Sequence, residues 1–322
     1  MECYYYYVYC KGILAVKTNL RDFKWIYGTS APSSTEQEFN ECKIQFVVTV
    51  GSEKTLESCS SSDRKFQACL WDNNKKKLYY HRKLFKLLDI GYNINIDGNK
   101  VEVNLGKNYL KYIKLRAMNL HSAYYLLSDI ANVLLLKNGL VSLYSSAVYY
   151  KPKEKCVVCF APPNTGKTLT ATRLCENKNY QMVSEDVVIT DGKNAFSCPY
   201  TNSYRKSGSS TDSAGSFDRV MLAGDKEFRD KCEITDFAVL SLGKNEISTD
   251  KSQIAKKICL LNGYLFDYYT SPILVWLAFF DSEFEIPWQT ETQKIIENMT
   301  ERLECRWIQA ESPTEFSKIL EY

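Results

Sequence analysis

The sequence predicts an α+β fold: a β-rich N-terminal domain over residues 1–115, then a domain over residues 116–322 in which a mixed β-sheet carries flanking helices. Three observations predict it. Residues 93–105 alternate apolar and polar on both sides of Asp97-Gly98-Asn99, the pattern of a half-buried hairpin. Leu120, Tyr124, Leu127, Ile130, Ala131 and Leu134 recur at helical spacing. Residues 156–160 form an apolar β run that enters a loop of mostly small residues, 161–168, and residues 169–175 beyond it have helical character.

Taken in order, residues 4–8, 44–50, 66–71 and 77–81 are short stretches of β-branched and aromatic side chains. Such runs suit a pleated, half-buried surface. Polar turns separate them, such as Gly51-Ser52-Glu53 and Asp72-Asn73-Asn74. The hairpin at 93–105 closes the series. This half holds no catalytic constellation, which leaves it recognition, packing or dimerisation. Tyrosine is abundant at 23 residues; the run Tyr4 to Tyr7 in the first expected strand could be a sticky edge, although aromatic strand residues more often serve the core than a ligand platform.

A helix is expected over 119–137, stopped at Asn138-Gly139 because glycine tolerates the left-handed conformation that ends helices. Strands follow at 141–150 and 156–160, joined by a turn at 151–155. Later strands are expected at 236–242 and 306–309, and helices at 251–261 and 290–303. Ser312 would cap a final helix whose first turn holds Pro313. The apolar run at 271–280 is too short to cross a bilayer and reads as core. Residues 197–230 are polar and irregular. Their segment 200–215, with Arg205 and Lys206 and with Arg219 beyond, is either a lid that closes over an acceptor or a solvated loop. One of these cations could stabilise transferred charge.

The loop Ala161-Pro162-Pro163-Asn164-Thr165-Gly166-Lys167-Thr168 carries the chemistry. Backbone N–H groups at a helix N-terminus offer partial positive charge to a polyphosphate. The usual pattern is Gly, four residues, Gly-Lys and Ser or Thr. Here Ala161 stands at the first glycine, and all eight residues are expected to line a nucleotide. Lys167 can reach the β- and γ-phosphates, and the Thr168 hydroxyl can ligate Mg²⁺. The bland alternative is an ordinary turn with an exposed lysine.

Residues 180–190 place Glu185-Asp186 between two short apolar runs, with a turn at Asp191-Gly192. Phosphoryl transfer needs a metal to neutralise phosphate charge and a group to orient or deprotonate the acceptor. Adjacent carboxylates point to different sides of an extended chain. One can therefore face the metal with Thr168 while the other faces the acceptor; Asp186 is assigned the first role and Glu185 the second. The alternative is a solvated turn that carries two acids.

Together these segments resemble the HPr kinase/phosphorylase family and its relatives, which share a core with PEP carboxykinases. The family follows its phosphate loop and helix with an extended segment of the form Val-Ala-Asp-Asp-x-Val, and Val183-Ser184-Glu185-Asp186-Val187-Val188 matches it. Leu143-Tyr144-Ser145-Ser146-Ala147-Val148 stands where the family carries a Leu-His-Ala-Ser-like stretch. Residues 237–243 look like a later core strand. The resemblance spans residues 120–322, with the specific motifs at 143–190. It implies a PEP carboxykinase-like core, with ATP and Mg²⁺ as cofactors and a serine of a protein or peptide as acceptor. It also implies Lys167, Glu185 and Asp186 as catalytic residues, with Thr168 and Asp186 on the metal. HPr kinases assemble as hexamers, so homo-oligomer formation stays open. Three positions depart from the family: Ala161 for glycine, Glu185 for aspartate, and Tyr144 for a histidine that lies near the reacting phosphate in HPr kinases. The last argues against HPr as substrate and against phosphorylase activity, and leaves kinase chemistry open.

Composition sets the outer bounds. The 322 residues are 45% apolar and 25% charged, ordinary for a globular protein. A net charge of +3 is too small to imply a nucleic acid or an anionic membrane as partner, and neither is expected. Residues 1–9 lack the basic and apolar regions of a secretory signal, so a cytoplasmic setting is expected. The 12 cysteines are scattered. Cys156 and Cys159 form the only C-x-x-C pair and, on the strand entering the loop, are expected to be buried free thiols. His81 and His121 are too few to build a histidine metal site or a Ser-His-Asp triad. His121 lies on an apolar helical face, and His81 in a solvated region.

The expected function is an ATP- and Mg²⁺-dependent kinase acting on a hydroxyl. A non-catalytic nucleotide-binding regulator is the alternative from another class. A nucleoside-triphosphate hydrolase ranks below both, because a second carboxylate strand of the ATPase type is missing from the pattern.

Overall fold

The computed structural model describes residues 3–21, 23–28, 31–57, 64–66, 69–72, 76–114, 123–199, 204–205, 219–220, 228–265, 273–274, 276–277 and 288–322. The fold is α+β, in two compact units. The first comprises Met1–Lys24, Pro32–Lys137 and Phe266–Ile286. The second comprises Trp25–Ala31, Asn138–Leu265 and Pro287–Tyr322.

In the first unit, eight strands form one sheet: β1 (Tyr5–Cys10), β2 (Leu14–Thr18), β3 (Ile44–Gly51), β4 (Arg64–Phe66), β5 (Cys69–Asp72), β6 (Lys77–Leu84), β7 (Leu88–Asp97) and β8 (Lys100–Gly106). Their order is β1-β2-β3-β8-β7-β6-β5-β4. The β2–β3 and β3–β8 pairs are parallel and the others antiparallel. The hairpin read at 93–105 is present, closing at Asp97↔Lys100 with Gly98 at φ 58°. Strand β2 escaped the pattern because Leu14, Ala15, Val16 and Thr18 are all buried, which erases alternation. Helix α1 (Glu36–Asn40) also escaped, although Thr35 and Glu38 form a reciprocal capping box, Thr35 N–H donating to Glu38 Oε2 at 2.8 Å.

Of Tyr4 to Tyr7 only Tyr7 is buried; Tyr4, Tyr5 and Tyr6 are half-buried and β1 is an edge strand of the sheet, while other tyrosines of this unit pack in the core. The Tyr80, Tyr92 and Tyr109 rings meet at centroid distances of 4.8–6.0 Å, Tyr109 entering from α2 (Lys107–Lys114). Burial drives the Tyr92 and Tyr109 hydroxyls far above the usual tyrosine pKa. His81 is exposed, its Nε2 3.1 Å from Asp89 Oδ1. His121 and residues 115–122 lie outside the described residues.

The units part after Lys137, where the change of pattern had suggested residues 115/116. Helix α3 (Ala123–Lys137) gives the reason. Leu126, Leu127, Ile130, Ala131, Val133, Leu134 and Leu135 are all buried, so the helix is apolar over most of its circumference. It packs along β3 within the first unit.

The second unit begins with β9 (Val141–Leu143), β10 (Ser145–Tyr150), β11 (Lys155–Phe160) and α4 (Lys167–Leu174), then β12 (Tyr180–Ser184), β13 (Val188–Thr190) and β14 (Asn194–Ser197). The short β15 (Tyr204–Arg205) and β16 (Arg219–Val220) pair with each other. β17 (Lys231–Glu233), β18 (Asp236–Leu242), β19 (Glu246–Ser248), α5 (Lys251–Leu265), α6 (Trp288–Arg302), β20 (Glu304–Ala310) and α7 (Pro313–Leu320) complete it. A six-stranded mixed sheet runs β12-β10-β11-β18-β20-β19, with β11–β18 and β18–β20 parallel. A four-stranded sheet runs β17-β14-β13-β9.

Helices α4 and α7 share one apolar cluster with the six-stranded sheet. Ala171 and Leu174 of α4 meet Phe316 and Leu320 of α7 above Val157, Cys159, Ala238 and Ile308. Ser312 caps α7 by accepting from Thr314 N–H at 3.3 Å, with Pro313 in the first turn. Cys156 and Cys159 are buried free thiols, and Cys156 Sγ lies 2.7 Å from Cys232 Sγ. Burial pushes the Cys159 thiol up to about 12.

Phe316 is fully buried and pins α7 to this cluster. Phe316→Ala should cost about 3–5 kcal/mol in unfolding free energy, measured by urea titration. A loss under about 1 kcal/mol would show that α7 does not depend on this contact.

Candidate functional site

The site is assembled by strand order in the second unit. β10 pairs with β11 on one side, Ser145↔Phe160, and with β12 on the other, Ala147↔Ser184. The C-terminal ends of β11 and β12 therefore reach the same edge of the sheet, and Tyr144, just before β10, lies at that edge too. The loop 161–166 leaves β11 there, and the bend holding Glu185 and Asp186 leaves β12.

The loop is locally strained in the places its residues allow. Asn164 takes φ 64° and Gly166 φ 107°. Asparagine tolerates the left-handed region, and glycine is at ease there. Gly166 is required twice over, since a Cβ on it would fall 2.5 Å from Pro313 Cβ. Thr165 N–H donates to Pro162 O at 3.4 Å, and Thr170 closes the first turn of α4 by donating its N–H and its hydroxyl to Gly166 O at 2.9 and 3.0 Å. Ala161 is buried, Pro162 half-buried, and Pro163 and Asn164 exposed. The eight loop residues thus form one strand–loop–helix connection, as the sequence indicated.

Lys167 opens α4 and is only 5% exposed. Its Nζ lies 2.7 Å from Asp186 Oδ1 and 3.3 Å from the centre of the Tyr144 ring. Burial lowers the amine's pKa below 10.5, and the charge and hydrogen bond of Asp186 oppose that shift. The Tyr144 hydroxyl also bonds Asp186; burial first, then that carboxylate, holds it well above its usual pKa. A desolvated cation over an aromatic face gains about 2 kcal/mol. The ammonium is thus held by one carboxylate and one π face, in a place where water reaches neither freely.

Glu185 and Asp186 do face different ways. Asp186 meets Lys167, whereas the Glu185 side chain is buried at 1% exposure. The Glu185 carbonyl accepts from the Ser146 hydroxyl and from Thr168 Oγ1, the latter at 3.4 Å. The Ser184 hydroxyl accepts from Cys198 N–H at 3.1 Å and donates within the same bend to Val187 O. The acids therefore sit in a tightly bonded bend and not in a solvated turn.

Two supports were missed in the sequence. Asn262 on α5 is buried; its Oδ1 accepts from Tyr144 N–H at 3.4 Å and its Nδ2 donates to Ser142 O at 3.0 Å. Ser146 braces the acid bend from β10. A buried asparagine one residue past an Ile254/Ile258/Leu261 stripe is the signal that could have found the first. The expected lid, 200–215, lies outside the described residues apart from the backbone pairing of β15 with β16, and Lys206 lies outside them.

Thr168 and Asp186 offer a hydroxyl and a carboxylate oxygen on neighbouring connections, the hard donors that Mg²⁺ prefers. Among the described residues no group of three or more His, Cys, Asp and Glu could hold a metal ion. A nucleotide-borne Mg²⁺ does not need one, since it takes one or two protein oxygens and completes its shell from phosphate and water. The Thr168 hydroxyl and the Asp186 carboxylate fit a phosphate-borne Mg²⁺ in donor chemistry. Compared with known proteins, no family model matches the chain and no curated protein matches it.

Removing Asp186 strands a buried ammonium. Asp186→Ala should destabilise the chain by about 3–5 kcal/mol at neutral pH. Without its partner, Lys167 should titrate lower still. Between that lowered value and 10.5, the unfolded chain binds more protons than the folded one, so the variant's deficit should shrink as pH rises. Urea titrations of both proteins from neutral to alkaline pH check this; a deficit constant with pH contradicts it.

Proposed function

We propose that this chain is an ATP- and Mg²⁺-dependent kinase of the HPr kinase-like kind, transferring a phosphoryl group to a hydroxyl, serine of a protein or peptide being the acceptor the resemblance implies. The observation that carries the reading is the 2.7 Å contact between Lys167 at the start of α4 and Asp186 at the end of β12. It joins a strand–loop–helix of phosphate-binding pattern to an acid pair, the combination phosphoryl transfer calls for.

The loop amides of residues 161–168 would hold the phosphates, helped by the N-terminal dipole of α4. Lys167 would leave Asp186 for the β- and γ-phosphates, and the Tyr144 ring would keep its stem in place. Thr168 and Asp186 would hold Mg²⁺, which supplies neutralisation of phosphate charge when bound. Glu185 would orient the acceptor hydroxyl and take its proton.

A second reading has its own observations. The Glu185 side chain is 1% exposed, and the Tyr144 ring covers the amine of Lys167. Both favour a nucleotide-binding regulator that performs no transfer.

Lys167→Ala should abolish nucleotide turnover. Glu185→Gln should keep ATP–Mg²⁺ affinity and lose about 10²–10⁴ in transfer rate. Calorimetric titration beside transfer of a labelled γ-phosphate separates these effects. Full activity in Glu185→Gln removes that residue as base, and tight binding by the unmodified chain with no turnover on any acceptor favours the regulator.

A further inference from the structure

We propose that the tip of the β6–β7 hairpin, in the first unit, is a docking element for an anionic lipid surface. It does not depend on the kinase reading. The two strands pair from Lys77↔Asn95 to Leu84↔Leu88, and Phe85, Lys86 and Leu87 form the turn, closed by Leu87 N–H donating to Leu84 O at 3.1 Å. Phe85 is 74% exposed and Leu87 90% exposed.

The backbone makes this placement unusual. Phe85 has φ 52° and Lys86 φ 58°. The left-handed region suits glycine and asparagine, and a bulky side chain there is an outlier. A turn chosen for stability alone would carry Asn-Gly. The neighbouring β7–β8 hairpin, with Gly98-Asn99 between its strands, gives its positive φ of 58° to the glycine. Phe85 is thus at a disadvantage both in its backbone and in its hydration.

Charge points to the occupant. His81, Arg82, Lys83 and Lys86 are all exposed around the tip. The carboxylate beside them is Asp89, opposite Lys83 in register and 3.1 Å from His81 Nε2. The tip therefore carries three permanent cations against one anion, a local excess that the chain's net +3 does not reveal. A protein interface needs about 800 Å² on each partner. A convex tip with two apolar side chains cannot supply that. It does suit a bilayer interface, where phenyl and isobutyl groups enter the headgroup–acyl boundary and Arg and Lys stems run back to the phosphates. Each basic residue near an anionic surface contributes on the order of fivefold in affinity.

The test is flotation of the full chain with phosphatidylcholine vesicles, with and without phosphatidylserine. Binding is expected only with phosphatidylserine, and added salt should weaken it. Phe85→Ser with Leu87→Ser, and separately Arg82→Glu with Lys83→Glu, should each weaken binding on the order of tenfold or more. Phe85→Gly should lose binding while raising the melting temperature, because glycine relieves the positive φ; a lowered melting temperature would mean that the phenyl serves the fold, and would overturn the proposal. So would failure to bind phosphatidylserine vesicles, tip variants that bind as the parent does, or a dimer of the chain that the same variants dissolve.

Discussion

The contact between Lys167 and Asp186 is the constraint around which the second unit's site is built. Both charges are withdrawn from water, which costs several kcal/mol per ion, and each compensates the other only while the ends of β11 and β12 stay aligned. Tyr144 strengthens the arrangement from a third direction, with its ring under the ammonium and its hydroxyl on the same carboxylate. A site held this way is stiff. It gives up its internal partner only to a ligand that offers the lysine equal charge, and a phosphate group is such a ligand.

The sheet exists in the order it does for reasons of packing, and the site inherits its geometry from that order. β10 is the shared neighbour of β11 and β12, so the two connections that carry chemistry emerge side by side. The chain then leaves the six-stranded sheet at the acid bend and enters the four-stranded one as β13. That change of sheet turns Glu185 inward and Asp186 toward the lysine. Serine hydroxyls from three elements, Ser146, Ser184 and Ser197, bond main-chain carbonyls around the bend. Pro313 limits the loop from the other side, and Gly166 is the residue that lets it approach.

The first unit shows the opposite use of backbone strain. There the sheet keeps apolar and aromatic side chains inside, and one hairpin end departs from that economy by holding two large apolar side chains in water. Strain at Gly166 is absorbed by a residue suited to it. At Phe85 it is borne by a residue that is not, and a feature of that kind is better explained by a contact outside the chain than by the fold.

The sequence by itself determined what is local. The strand–loop–helix at 156–175, the β7–β8 hairpin, the Ser312 cap with Pro313 and the burial of Cys156 and Cys159 were legible, because period, turn chemistry and capping act over a few residues; the ion pair between Lys167 and Asp186 was not. Strand β2 was not legible, because a strand buried on both faces has no alternation to read. Nor was the parting of the units after α3, since a helix buried over most of its surface does not say which sheet will cover it. Tertiary structure alone decided that Tyr144 is a π platform under Lys167, that Glu185 is turned into the interior, and that Asn262 braces the edge from α5. Those outcomes follow from strand order and from the change of sheet at residues 185–187. Both are settled by how distant apolar surfaces pack, and no local stretch of residues encodes them.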